Sequence, residues 1–222
     1  MSGPKQKVIC LGLGRTGTKS LADALEVIGF GPSYHMTTII RGGGKDLLTW
    51  NKIGDGKGTT EDVHMLCDGY GAVLDYPPAM YPSELYAAYP DAKFILTTRD
   101  PEKWEKSVKN TIMRIPEMMR NKPERSLLEE RLVQWHEVYM HGKYHRGRLF
   151  THTQQELLDH NERVKSIIPP EKLLIYEVGE GWDRLVEYLE VSKPSVPFPR
   201  VNDTAEFQAR VGISAVSKEE KH

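Results

Sequence analysis

The chain has little cysteine: Cys10 and Cys67 are the two thiols in 222 residues. Two thiols cannot build a disulfide framework, and Cys10 sits inside an apolar run, where it reads as a small buried hydrophobe. A reducing, cytoplasmic setting is therefore expected. Long apolar runs are also missing. None approaches the roughly 20 residues needed to cross a bilayer, and Met1–Lys7 is polar with no signal-type apolar region, so no membrane partner is expected. Charge of one sign is not in excess. The formal net charge is -1, which removes any global pull toward nucleic acid and leaves anions to be attracted locally. No histidine or cysteine spacing suits a metal, and none is expected. His136, His141 and His145 lie among Lys143, Arg146 and Arg148 and read as a solvated basic face. Without repeats or a clear linker, residues 1–222 read as a single domain.

The most informative segment that is present runs from Lys7 to Ser20. The apolar stretch Val8–Leu11 ends in Gly12, Gly14 and Gly17, and an amphipathic stretch with Leu21, Leu25 and Ile28 at helical spacing follows. This predicts strand, tight loop and helix, with the helix over Thr18–Ile28. The free amides of such a loop and the positive helix end converge on one point, which suits phosphate or sulfate.

Further strands are predicted at Ala72–Asp75, Lys93–Thr98 and Leu173–Tyr176. Helices are predicted at Pro82–Tyr89, from Pro101 to about Met113, across 126–142 and 151–168, and at Trp182–Leu189. Residues 30–36 offer no good strand. Residues 41–60 are rich in glycine and lysine around a short helix at Asp46–Lys52, and read either as a surface loop or as a lid. The tail over residues 194–222 opens with Pro194, Pro197 and Pro199 and reads as extended. Apolar strands alternating with helices predict an α/β fold with three layers, α/β/α, around a central parallel sheet of the P-loop nucleotide-binding type. Ligands in such folds bind at the carboxyl ends of the strands. That rule gathers the glycine loop, Asp75 after the second predicted strand and Arg99 after the third.

Three readings compete for the loop. Gly12, Gly14 and Gly17 satisfy G-x-G-x-x-G, but the acid that a dinucleotide site wants after its second strand is missing. A nucleotide kinase loop needs lysine directly after Gly17, and Thr18 displaces Lys19 by one residue. In the third reading, Arg15-Thr-Gly-Thr18 resembles the phosphosulfate loop of the sulfotransferases. Arg99-Asp-Pro-Glu-Lys-Trp-Glu-Lys-Ser107 resembles the second half of that family's signature. The likeness is closest to the short sulfotransferase-like branch. It extends to Tyr34-His35-Met36, Asp75-Tyr-Pro77, Tyr89–Trp104 and Val201-Asn-Asp203, and covers roughly residues 8–204.

The resemblance implies a co-substrate, 3′-phosphoadenosine-5′-phosphosulfate (PAPS), and a small-molecule acceptor. It implies that the segment Gly14, Arg15, Thr16, Gly17, Thr18, Lys19 and Ser20 cradles the phosphosulfate, and that Arg99 and Ser107 hold the 3′-phosphate. Arg15 would stand where the family has a lysine, giving help to the leaving group that is electrostatic only. A base must take the acceptor's proton. Asp75 is the first candidate and His35 the second. The family's Arg-Lys-Gly segment near the C-terminus is absent, with Arg200 a candidate substitute. A non-sulfating member that binds an adenine nucleotide or anionic small molecule is therefore a reading left open. Trp50, Met113, Met118 and Met119 point to a hydrophobic acceptor or to core packing.

Overall fold

A computed structural model describes residues 6–201 and 204–211. Its centre is a parallel sheet of β1 (Val8–Cys10), β2 (Ser33–Tyr34), β3 (Ala72–Val73), β4 (Lys93–Thr98) and β5 (Leu173–Glu177), in the order β2-β3-β1-β4-β5. Every pairing is parallel, and β1 is held on one side by β3 and on the other by β4. The order reverses at β1, so the loop that leaves it opens into the crevice between its two neighbours.

Alternation along the strands sorts side chains into two cores. Val8 and Cys10 face α1 (Thr18–Val27), while Ile9 and Leu11 face the other layer, which includes Trp104 and Leu157. A sheet buried on both faces needs apolar residues at successive positions, and β1 is fully buried throughout. The remaining helices in chain order are α2 (Met36–Arg41), α3 (Asp46–Gly54), α4 (Thr60–Cys67), α5 (Pro82–Ala88), α6 (Pro101–Lys109), α7 (Ile115–Arg120), α8 (Leu127–Gln134), α9 (Thr153–Ile167), α10 (Asp183–Leu189) and α11 (Thr204–Val211). A π-helix, Trp135–Tyr144, continues α8 without a break. The three-layer α/β/α arrangement is the one expected from the alternation of elements.

The structure departs from expectation in several places, among them α2, α4 and α7, for which no helix is predicted. Residues 33–34 are a strand, short enough to leave no periodic signal. Within residues 41–60, α3 is a packed helix with Leu47, Trp50 and Ile53 buried, and Trp50 stacks on Tyr81 at 5.4 Å. The helix after Pro101 stops at Lys109, short of Met113. The tail is not extended throughout, because α11 follows Val201 and docks through Gln208, which donates to the Asn110 carbonyl at 2.9 Å. Asn202, Asp203 and residues 212–222 lie outside the described residues.

Candidate functional site

The glycine loop is set by close approach. A Cβ at Gly12 would stand 1.8 Å from Thr97 Oγ1, and one at Gly14 would stand 2.8 Å from the Tyr76 ring. Trp104, fully buried on α6, donates its indole N–H to the Gly14 carbonyl at 2.9 Å. Arg15 takes the left-handed region with φ 73°, as does Gly17 with φ 99°. Gly17 is the N-cap of α1 and has no side chain with which to cap it, and the first turn carries no acid. The leading amides of α1 and its positive end therefore face the rim.

The hydroxyls of the loop are not used as capping groups. Thr16 Oγ1 donates to the Leu13 carbonyl at 2.7 Å and lies 2.6 Å from Thr97 Oγ1, so it points into the sheet. Ser20 Oγ donates to the Val201 carbonyl at 3.2 Å and accepts from the Val201 amide at 3.1 Å, fastening the C-terminal segment to α1. Lys19 pairs with Asp23 one turn along. Thr18 Oγ1 lies 3.4 Å from His35 Nε2.

Asp75 and His35 meet although their strands are far apart in sequence. His35 Nε2 stands 3.2 Å from Asp75 Oδ2, with both residues buried. His35 is the N-cap of α2, and its Nδ1 accepts the Thr37 amide at 3.2 Å. An acceptor nitrogen is unprotonated, so the neutral ring carries its proton on Nε2 and donates toward Asp75. Asp75 itself is held in the left-handed region with φ 70°. Its Oδ1 would lie 3.0 Å from a Cβ at Gly14, which places the carboxylate against the loop.

Arg15 joins the parts. Its Nε donates to Ser107 Oγ at 3.2 Å, its guanidinium lies 4.8 Å from the Phe207 ring, and its carbonyl accepts from Arg99 Nη1 at 2.8 Å. Burial pushes the Arg99 guanidinium below its ordinary pKa. Ser107, expected at a phosphate, is buried with its Oγ accepting from Arg15 Nε, and it is not among the residues that line the polar cavity.

Two cavities share this corner. A polar one of about 260 Å³ is lined by Arg15, Gly17, Thr18, Lys19, Arg99 and the C-terminal segment at Val201 and Thr204. A second, of about 110 Å³, is lined by Gly14, Arg15, Thr18, His35 and Asp75 at one part of its wall, and by apolar side chains such as Met36, Ile40 and Ile115 over much of the rest. Arg15 and Thr18 belong to both. Of the apolar residues singled out from the sequence, Met119 lines the second cavity, whereas Trp50 is core.

The histidines of 136–145 are a correction. His136, His141 and His145 are 5%, 7% and 1% exposed and form no solvated face. His145 donates from Nδ1 to Glu156 at 2.9 Å and accepts the Tyr76 hydroxyl at Nε2 at 3.2 Å, which ties the pocket wall to α9. Burial lowers His136 to about 4 and His141 to about 3, so both are neutral near pH 7. His136 lines the apolar cavity, as does Phe207. Neither was legible, because charged neighbours hid the first and the proline-rich tail hid the second. Among the described residues no group of three or more His, Cys, Asp or Glu could hold a metal ion, and no helix is long and apolar enough to cross a membrane.

A profile described as "Sulfotransferase domain" matches residues 7–207, which contain the whole of this corner except the far end of α11. The chain is also 31% identical over 211 residues to Ava biosynthesis cluster protein M from Aspergillus versicolor, covering 88% of this chain and 80% of that protein. On the profile match and the glycine loop that it contains, the chain belongs to the sulfotransferase family.

Proposed function

We propose that the protein transfers a sulfuryl group from PAPS to a hydroxyl or amine of a small, largely apolar acceptor. The reading rests on one observation above all: a basic cavity and an apolar cavity meet at Arg15 and Thr18, and a carboxylate stands beside the junction on the apolar side. The residues present fit the phosphosulfate end of such a donor. Uncapped α1 amides, Arg15, Lys19 and Arg99 surround the polar cavity, and among the described residues no acid lines it. Arg99 is the residue suited to a second phosphate, by a fork of N–H groups.

When bound, PAPS supplies an activated sulfuryl group whose departing oxygen gathers negative charge. Arg15 meets that charge as a fixed cation in a buried place, where it acts more strongly than in water. Asp75 takes the proton of the acceptor group at a carboxylate oxygen. His35 is the weaker candidate for that task. Its Nε2 already carries the proton, and protonating Nδ1 would set a donor against the Thr37 amide. It serves instead to hold Asp75 in place by donation to Oδ2. The apolar wall excludes water from the junction.

The test begins with thermal shifts in PAP, ATP and NAD. Occupancy at a hundredfold excess over Kd stabilises by about 2.7 kcal/mol. Stabilisation by PAP, followed by PAPS-dependent product formation with a panel of phenols and alcohols, is the expected result. In that assay Asp75→Asn should lower kcat about a hundredfold with PAP affinity kept. A response to NAD or ATP without one to PAP, or full transfer by Asp75→Asn, would remove the reading.

A further inference from the structure

The apolar cavity has a second polar point that the transfer chemistry leaves unused. His136 lies on its wall, carried by the π-helix rather than by the sheet rim. Its Nδ1 is 2.8 Å from the Leu132 carbonyl. A carbonyl can only accept, so Nδ1 carries the proton and Nε2 is a bare lone pair. Nε2 has no protein partner among the described residues. Unlike the ring nitrogens of His141, it is not among the fully buried unpartnered atoms, and the residue lines the cavity.

The surroundings strengthen the point. Trp135 Nε1 and both ring nitrogens of His141 are buried without partners, although buried polar atoms are nearly always paired. All three residues sit in one π-helix, where the i→i+5 ladder sets residues 136 and 141 on one face with ring centroids 6.5 Å apart. Such widened turns recur at functional sites. An apolar wall that ends in an unfilled acceptor is built for a ligand that brings a donor.

We infer that the acceptor molecule is bifunctional: besides the group that is sulfated, it carries a second hydroxyl or N–H that donates to His136 Nε2. The inference rests on the sulfotransferase reading, because that reading makes this cavity the acceptor site. His136 is thereby a specificity residue and takes no part in bond making. A ligand of the right shape that lacks the second donor leaves the lone pair buried and unmet, and is disfavoured.

Two near-isosteric phenols test this, 4-(2-hydroxyethyl)phenol and 4-propylphenol. The first carries a hydroxyl at each end and the second at one end. Their dissociation constants are measured by calorimetry with and without saturating PAP, on wild type, His136→Phe and His136→Gln. Wild type should bind the diol about tenfold or more tightly than the propyl compound. His136→Phe should abolish that preference with PAP affinity unchanged, and His136→Gln, which keeps an acceptor, should restore part of it. In wild type the ¹⁵N resonance of His136 Nε2 should move upfield with the diol and stay with the propyl compound, a readout that needs no variant. Equal or tighter binding of the propyl compound, a preference that survives in His136→Phe, or no binding of either phenol would overturn the inference. Loss of PAP binding alone would strike the transferase reading instead, so the two failures are separable.

Discussion

Arg15 Nε donates to Ser107 Oγ at 3.2 Å, joining the glycine loop to α6 across 92 residues of sequence. The serine that the family likeness offered as a phosphate ligand is thus turned toward the cation at the cavity junction. The two roles separate in kinetics. Ser107→Ala should lower kcat about tenfold through a loosened Arg15 and leave PAP affinity within about twofold. A serine that gripped phosphate would give the opposite pattern, a weaker PAP constant with kcat kept. Titration calorimetry with PAP beside steady-state rates decides between them.

The Asp75–His35 contact makes a second expectation. His35→Ala removes the donor at Oδ2 and frees the carboxylate to turn, so kcat should fall about tenfold while Asp75→Asn costs about a hundredfold. Because the imidazole acts through the carboxylate, the double variant should be no slower than Asp75→Asn alone. Multiplying penalties would assign His35 an independent role.

Acid should weaken the fold before it protonates most carboxylates. His136 has its pKa lowered to about 4 and His160 to about 3, each by burial, against about 6.5 in an unfolded chain. Between those values the unfolded state binds more protons than the native one, so stability rises with pH there. The contribution is whole above pH 6.5, shrinks as pH falls, and levels off below the folded values. For His136 alone the span corresponds to roughly 3 kcal/mol. Urea midpoints followed from pH 7 to pH 4 should fall steadily, and His136→Phe should fall less steeply.

Two glycines with positive φ should answer differently to alanine. At Gly17, φ is 99° and a Cβ would stand 2.5 Å from Val178 Cγ2. At Gly56, φ is 69° and nothing lies within 4 Å. Gly17→Ala should cost about 2–3 kcal/mol and roughly 5–10 °C in Tm, and Gly56→Ala about 1 kcal/mol. Calorimetric melting of both variants checks the order.

Much of the site could be read from residue order. The glycine loop, the strand Lys93–Thr98 and the Arg99–Asp100–Pro101 turn carry strong local signals, and Asp100 caps α6 as its position suggests, accepting the Lys103 amide at 2.9 Å. What escaped depends on contacts or on register. Ser33–Tyr34 is too short to show a period. His136 and His141 share a face where the helix runs i→i+5 over Trp135–Tyr144, and no composition marks that widening. The fastening of Ser20 to Val201 joins residues far apart in sequence and leaves no local signal. Phe207 stands in a helix whose docking is decided by Asn110 and Arg15, far from it along the chain.

The placement of α11 has a consequence for biosynthesis. The loop bearing Arg15 leaves the ribosome ahead of both side chains that flank its guanidinium, Ser107 on α6 and Phe207 on α11. A nascent polypeptide can close the sheet around β1 without owning this corner. The junction therefore waits for α11 to emerge and settle, and a stop ahead of Thr204 would release a chain whose junction lacks one wall.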